Sequence, residues 1–153
     1  ERREMPLAAW AQTELAAGRG NALQACVASA LGAAALDDVP DFVNDAGPGG
    51  DYVAGLNAWL ARNTPRLAFV KVDMAASSDK AGLPSLPFPS APGTRCILAG
   101  GSPRGEHKHC VVAKVAADGV SLDLDHDPFP DGGGLRAPYS WAGFFALRLG
   151  EAV

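Results

Sequence analysis

The chain has 153 residues, of which 20% are charged and 48% hydrophobic, with a formal net charge of −4. This composition predicts one folded domain over residues 1–153 with a substantial core and excludes a disordered chain. The basic residues are scattered, which argues against nucleic acid as a partner, and no apolar run nears the ~18 residues of a membrane span.

In chain order, Glu1-Arg2-Arg3-Glu4-Met5-Pro6 lacks the pattern of a secretory leader. From Leu23, the positions Leu23, Cys26, Val27, Ala30, Leu31 and Ala34 form an i, i+3, i+4, i+7 stripe, which predicts a helix weakening at Gly32. Residues 37–43 predict a turn or short helix. Gly47-Pro48-Gly49-Gly50 breaks the chain, and Asp51 then caps a second helix with Val53, Leu56 and Leu60 inward. Asn63-Thr64-Pro65 stops it. The second half predicts strands: Leu67 to Met74, Arg95 to Ala99, His109 to Val115, Val120 to Leu124 and Phe144 to Leu149. Ser77 to Gly93, rich in proline, serine and glycine, predicts a long surface loop. Gly100 to Gly105 and Gly132-Gly133-Gly134 predict further loops. Helices followed by an antiparallel sheet make the expected class α+β. The three cysteines, an odd count, fall in one predicted helix and two predicted strands. They fit buried free thiols better than a disulfide framework, so a reducing, cytoplasmic setting is expected.

The helix that opens at Ala22 points unpaired N–H groups and the positive end of its dipole outward. A cysteine at such a place becomes a nucleophile because its thiolate is stabilised. His109 supplies a base, and Asp127, beyond the returning hairpin, supplies a group to orient it. Gln12 supplies an amide that, with the backbone N–H of residue 22, suits an oxyanion. The residue at position 22 itself is alanine.

The run Gly20-Asn21-Ala22-Leu23-Gln24-Ala25-Cys26-Val27-Ala28-Ser29 resembles the nucleophile helix of small bacterial papain-like, C39-like cysteine peptidases. Cysteine normally stands in that family where Ala22 stands. Gly101-Ser102-Pro103-Arg104-Gly105, His109-Cys110-Val111-Val112 and His126-Asp127-Pro128-Phe129-Pro130 are similar to its histidine and aspartate blocks. The resemblance implies a papain-like fold and a thiol hydrolase that needs no cofactor and acts on a peptide or protein. It implies His109 as base, Asp127 as its orienter and Gln12 as oxyanion donor. Asn21 and Ser102, inside the matched blocks, are substrate-binding candidates. Arg104, in the loop before His109, and Trp141, after the glycine-rich loop, join them. With alanine at position 22 the chain is either an inactivated form of such an enzyme or a pseudoenzyme that binds a peptide or protein tail in the same cleft.

Other readings compete. Cys26, one turn after Ala22, is an alternative nucleophile, although its place on the apolar stripe suits a core thiol. Cys110 neighbours His109 but points to the opposite strand face. His107 and His109, spaced to share one face, could join His126 in a metal-dependent hydrolase. Asp123-x-Asp125-x-Asp127 fails as a calcium loop, because Pro128 stands at the turn glycine and Gly134 at the terminal glutamate. Oligomeric state is not readable from the sequence.

Overall fold

A computed structural model describes residues 7–75 and 82–149. The first helix, α1, runs Ala22–Leu31, and its stripe of Leu23, Cys26 and Val27 is buried as the periodicity requires. Gly32 ends it at φ 67, a left-handed conformation, and its N–H returns to the carbonyls of Ala28 and Ser29. A 3-10 turn, Leu36–Asp38, leads to α2, Phe42–Ala46, and then to α3, Tyr52–Asn63. Asp41 and Asp51 cap α2 and α3, accepting from the N–H groups of Asn44 and Ala54. Leu56 and Leu60 are fully buried, while Val53 is only half-buried.

The five strands are β1 Leu67–Asp73, β2 Arg95–Gly101, β3 Lys108–Val115, β4 Leu122–His126 and β5 Arg136–Leu147. They form one antiparallel sheet in the order β1-β5-β2-β3-β4. Successive side chains alternate between faces. Ile97, Ala99, Cys110 and Val112 pack with α1 and α3, whereas Cys96, Leu98, Val111 and Ala113 pack with Met74, Leu86 and Leu122. Both faces of β2 and β3 are therefore covered, which is why these strands read as continuous apolar runs. The architecture is α+β, with helices packed on an antiparallel sheet. Among the described residues, no single helix is long and apolar enough to cross a membrane.

Several sequence expectations need correction. The start, 1–6, and residues 77–81 of the expected long loop lie outside the described residues. The rest of that loop, 82–93, is the irregular surface stretch expected, with half of its residues exposed. Pro84 and Leu86 are its buried members, Leu86 N donates to Val120 O at 2.8 Å, and Ser90 N donates to Gly119 O at 2.8 Å. Through Leu86 it packs on the second core, which its composition did not indicate. β5 starts at Arg136 rather than Phe144, because it pairs with β1 on one side and β2 on the other. Pro138 fits inside it at the irregular register between Gly100 and Gly101, where a missing N–H costs no ladder bond. Gly100 and Gly101 belong to β2 rather than to a loop, and β4 starts at Leu122 rather than Val120. His107 precedes β3, so it does not share a strand face with His109.

Candidate active site

The N-terminal segment is strapped across α1. Trp10 N donates to Ser29 Oγ at 2.9 Å, and Trp10 Nε1 donates to Ala33 O at 2.9 Å. The Trp10 carbonyl pairs with His126 Nε2 at 2.7 Å, and Gln12 N donates to Pro128 O at 2.8 Å. These bonds tie the segment carrying Gln12 to the end of β4 and the start of the following loop.

Asn21 then fixes the turn between Gln12 and α1. Its Oδ1 accepts from Thr13 N and Glu14 N, each at 2.9 Å. Its Nδ2 donates to Thr13 Oγ1 and Gln24 Oε1, each at 3.0 Å. Asn21 precedes α1 but does not cap it, because its side chain is turned back onto this loop. The first-turn N–H groups of Ala22, Leu23 and Gln24 consequently have no hydrogen-bond partner among the described residues. Those donors sit at the positive end of the helix, on residues that begin at the cleft.

His109, near the start of β3, and Asp127, just after β4, meet because these strands are neighbours. His109 Nε2 lies 2.8 Å from Asp127 Oδ1, with the two side chains 3% and 5% exposed. The same oxygen accepts from Phe129 N at 3.0 Å, and Oδ2 accepts from Gly134 N at 2.7 Å. Burial pushes the Asp127 carboxyl up, but the His109 hydrogen bond, the two backbone N–H groups and the imidazole's charge hold it below its ordinary value. The carboxylate is thus held from three directions. His109 Nδ1 has no hydrogen-bond partner among the described residues and is the ring nitrogen left to exchange a proton.

A cleft of about 290 Å³ brings Gln12, Ala22, His109, Arg104 and Trp141 together. Leu15, Ala16, Leu23, Val43 and Tyr52 line its apolar side. Gln12 is 7% exposed, and its Nε2 donates to Glu14 O at 3.0 Å. That contact fixes the amide orientation, since a flip would face two oxygens. It leaves Gln12 Oε1 buried without a partner among the described residues. Trp141 stands edge-on to Phe69, with ring centroids 5.9 Å apart. Arg104 stacks its guanidinium on Phe129 at 3.5 Å and donates from Nη1 to Gly132 O at 2.8 Å.

Of the other candidates, Cys110 and His107 also border the cleft, while two are held outside it. Asn21 and Ser102 do not line the cleft. Asn21 is committed to its loop, and Ser102 is fully buried, with Oγ accepting from Arg104 N at 3.2 Å. Cys26 is fully buried; burial, then the Cys110 thiol and the Asp127 charge push its thiol well up, which is the wrong direction for a nucleophile. Cys110 Sγ lies 3.8 Å from Cys26 Sγ in the helix-side core. His126 holds Trp10 and His109 holds Asp127, so the three histidines do not gather. Among the described residues, no group of three or more His, Cys, Asp or Glu could hold a metal ion. Asp125 is instead paired with Arg95, Nε to Oδ2 at 2.8 Å.

Sequence reasoning missed Phe129 and Tyr52 as cleft residues. Phe129 stood inside the quoted His126–Pro130 run, but nothing in the sequence pairs it with Arg104. Tyr52 gave only the signal of an aromatic in the first turn of a helix. No protein-family model, curated protein or solved structure matches this chain.

Proposed function

We propose that this chain is a papain-like cysteine-hydrolase scaffold for amide, peptide or isopeptide bonds, carried here in a form that binds without cleaving. The observation that supports it is His109, hydrogen-bonded to the buried Asp127, lining one cleft with Ala22, the first residue of a helix whose opening N–H groups are unpaired. Alanine offers no sulfur, so no thioester forms in this form.

In the competent form a thiol at position 22 loses its proton to His109 Nδ1. Asp127 holds Nε2 and stabilises the resulting imidazolium. The thiolate attacks the carbonyl carbon, and charge passes to the carbonyl oxygen. The N–H of residue 22 and the remaining Gln12 amide hydrogen are the donors for that oxygen, each contributing about 3–4 kcal/mol in comparable sites. The C–N bond then breaks, the nitrogen leaves with the proton from His109, and water attacking through the same imidazole releases the acid. No metal or organic cofactor is needed for these steps.

The test is Ala22→Cys followed by iodoacetamide, with labelling mapped by peptide mass spectrometry. Position 22 is expected to alkylate with an apparent pKa below the ~8.5 of a free thiol. At pH 6.5, His109→Ala in the same background is expected to slow it at least about tenfold. Labelling at the rate and pH dependence of glutathione would overturn the proposal.

A further inference from the structure

We infer that the cleft selects an acidic ligand, a peptide bearing a carboxylate beside the carbonyl presented to position 22. This rests on the reading of position 22 and His109 given above and adds the substrate's charge. The protein carries 17 acidic and 13 basic residues, yet no Asp or Glu lines the cleft, whereas Arg104, His107 and Lys108 do. Of the acids next to lining residues in the chain, Glu14, Asp51 and Glu106 are exposed and stay off its wall, and Asp127 lies behind His109, hydrogen-bonded to it. Arg104 and Lys108 form no ion pair among the described residues.

Arg104 is also preorganised. Phe129 supports one face of its guanidinium, and the Gly132 carbonyl takes Nη1, leaving the other N–H donors available for a planar, bidentate acceptor. A solvated loop arginine would lose side-chain entropy on binding; this one has already given much of it up. Lys71, itself outside the lining, donates from Nζ to Tyr52 Oη at 2.7 Å, and its ammonium lies 4.5 and 4.6 Å from the Tyr52 and Trp141 ring centres. Tyr52 and Trp141 both line the cleft. The unpaired N–H groups of α1 add a further positive edge. The wall of the cleft therefore carries unpaired cations and no exposed carboxylate, the Asp127 charge being engaged by His109 behind it, on a protein whose net charge is negative.

Two sources present a carboxylate to such a site, an Asp or Glu side chain and a peptide C-terminus. Three affinity labels separate them in the Ala22→Cys protein: iodoacetyl-Glu-amide, iodoacetyl-Gln-amide and iodoacetyl-Gln with a free acid. In each, the thiolate forms the S–C bond as iodide leaves, and rates are referenced to glutathione. At low salt at least one acidic label is expected to modify position 22 about threefold or more faster than the neutral one. The faster acidic label identifies the source. The acidic-to-neutral ratio should fall with added salt and in Arg104→Gln or, separately, Lys108→Gln. Arg62→Gln, an exposed cation on α3, should leave the ratio alone. Equal rates for all three labels would overturn the inference while sparing the proposed chemistry. Failure of every label, iodoacetamide included, to distinguish position 22 from glutathione would remove both.

Discussion

Replacing Asp127 by asparagine isolates what the buried carboxylate contributes. The side chain accepts from His109 Nε2 at 2.8 Å, Phe129 N at 3.0 Å and Gly134 N at 2.7 Å. An amide keeps at most one side of this arrangement. With its oxygen toward His109 and Phe129, its NH₂ confronts the Gly134 N–H; flipped, it confronts the other two. One charge-assisted hydrogen bond is lost, and those that survive weaken to neutral ones. At ~1.5–3 kcal/mol for the first and a few tenths to 1 kcal/mol for the rest, Asp127→Asn should cost about 3 kcal/mol near pH 7. Urea unfolding followed by circular dichroism, at matched slopes, measures this directly. The sign of the pH dependence follows from the lowered carboxyl. Asp127 has a folded pKa below its unfolded one, so its contribution is complete above the ordinary carboxylate value of about 3.9 and is lost as pH falls through the lower folded value. The carboxylate's share of the gap between parent and variant should be lost below about pH 4. A variant as stable as the parent at pH 7, or a gap undiminished below about pH 3, would refute this account of the pair.

Two other perturbations probe the surroundings. Asn21→Ala removes four hydrogen bonds from a residue that is 4% exposed. It should lower stability by about 2–3 kcal/mol and expose the 12–20 turn to proteolysis; a loss under about 0.5 kcal/mol would contradict the structural role. Cys26 is pushed well up by burial and the neighbouring Cys110 thiol, and Cys96 is pushed up to about 12 by burial. With alanine at position 22, both should resist a thiol reagent at pH 8 until denaturant is added. Rapid stoichiometric modification of either in the native protein would show that the core is not closed as described.

The elements that follow from local periodicity were legible in the sequence. The stripe from Leu23 and the Asp51 cap each specify their own geometry within a few residues, because helix spacing and capping act over that range. The candidate pair His109 and Asp127, and the candidate position 22, came from residue types and their order; the structure puts His109 and Ala22 at one cleft and hydrogen-bonds Asp127 to His109 behind it. What the sequence obscured were features decided by partners far along the chain. Residues 82–93 form the surface loop expected, but nothing in the sequence shows that Leu86 packs into the second core beside the β3–β4 hairpin. The early half of β5 carries little strand pattern, and it is an irregular pairing of Arg136 and Tyr139 with Gly101 and Gly100 of β2 that makes it strand.

Asn21 and Ser102 show the same limit at the site. Their neighbours in sequence suggested substrate contact, yet the folded chain spends one on the 12–20 turn and buries the other. Arg104, a candidate from the same stretch of sequence, does line the cleft, and its bracing by Phe129 and Gly132 came from the fold. Sequence by itself determined which chemical groups exist and which short segments coil or extend, because those preferences are local. Which groups are desolvated, braced or already satisfied depended on long-range packing, and only the tertiary structure decided it.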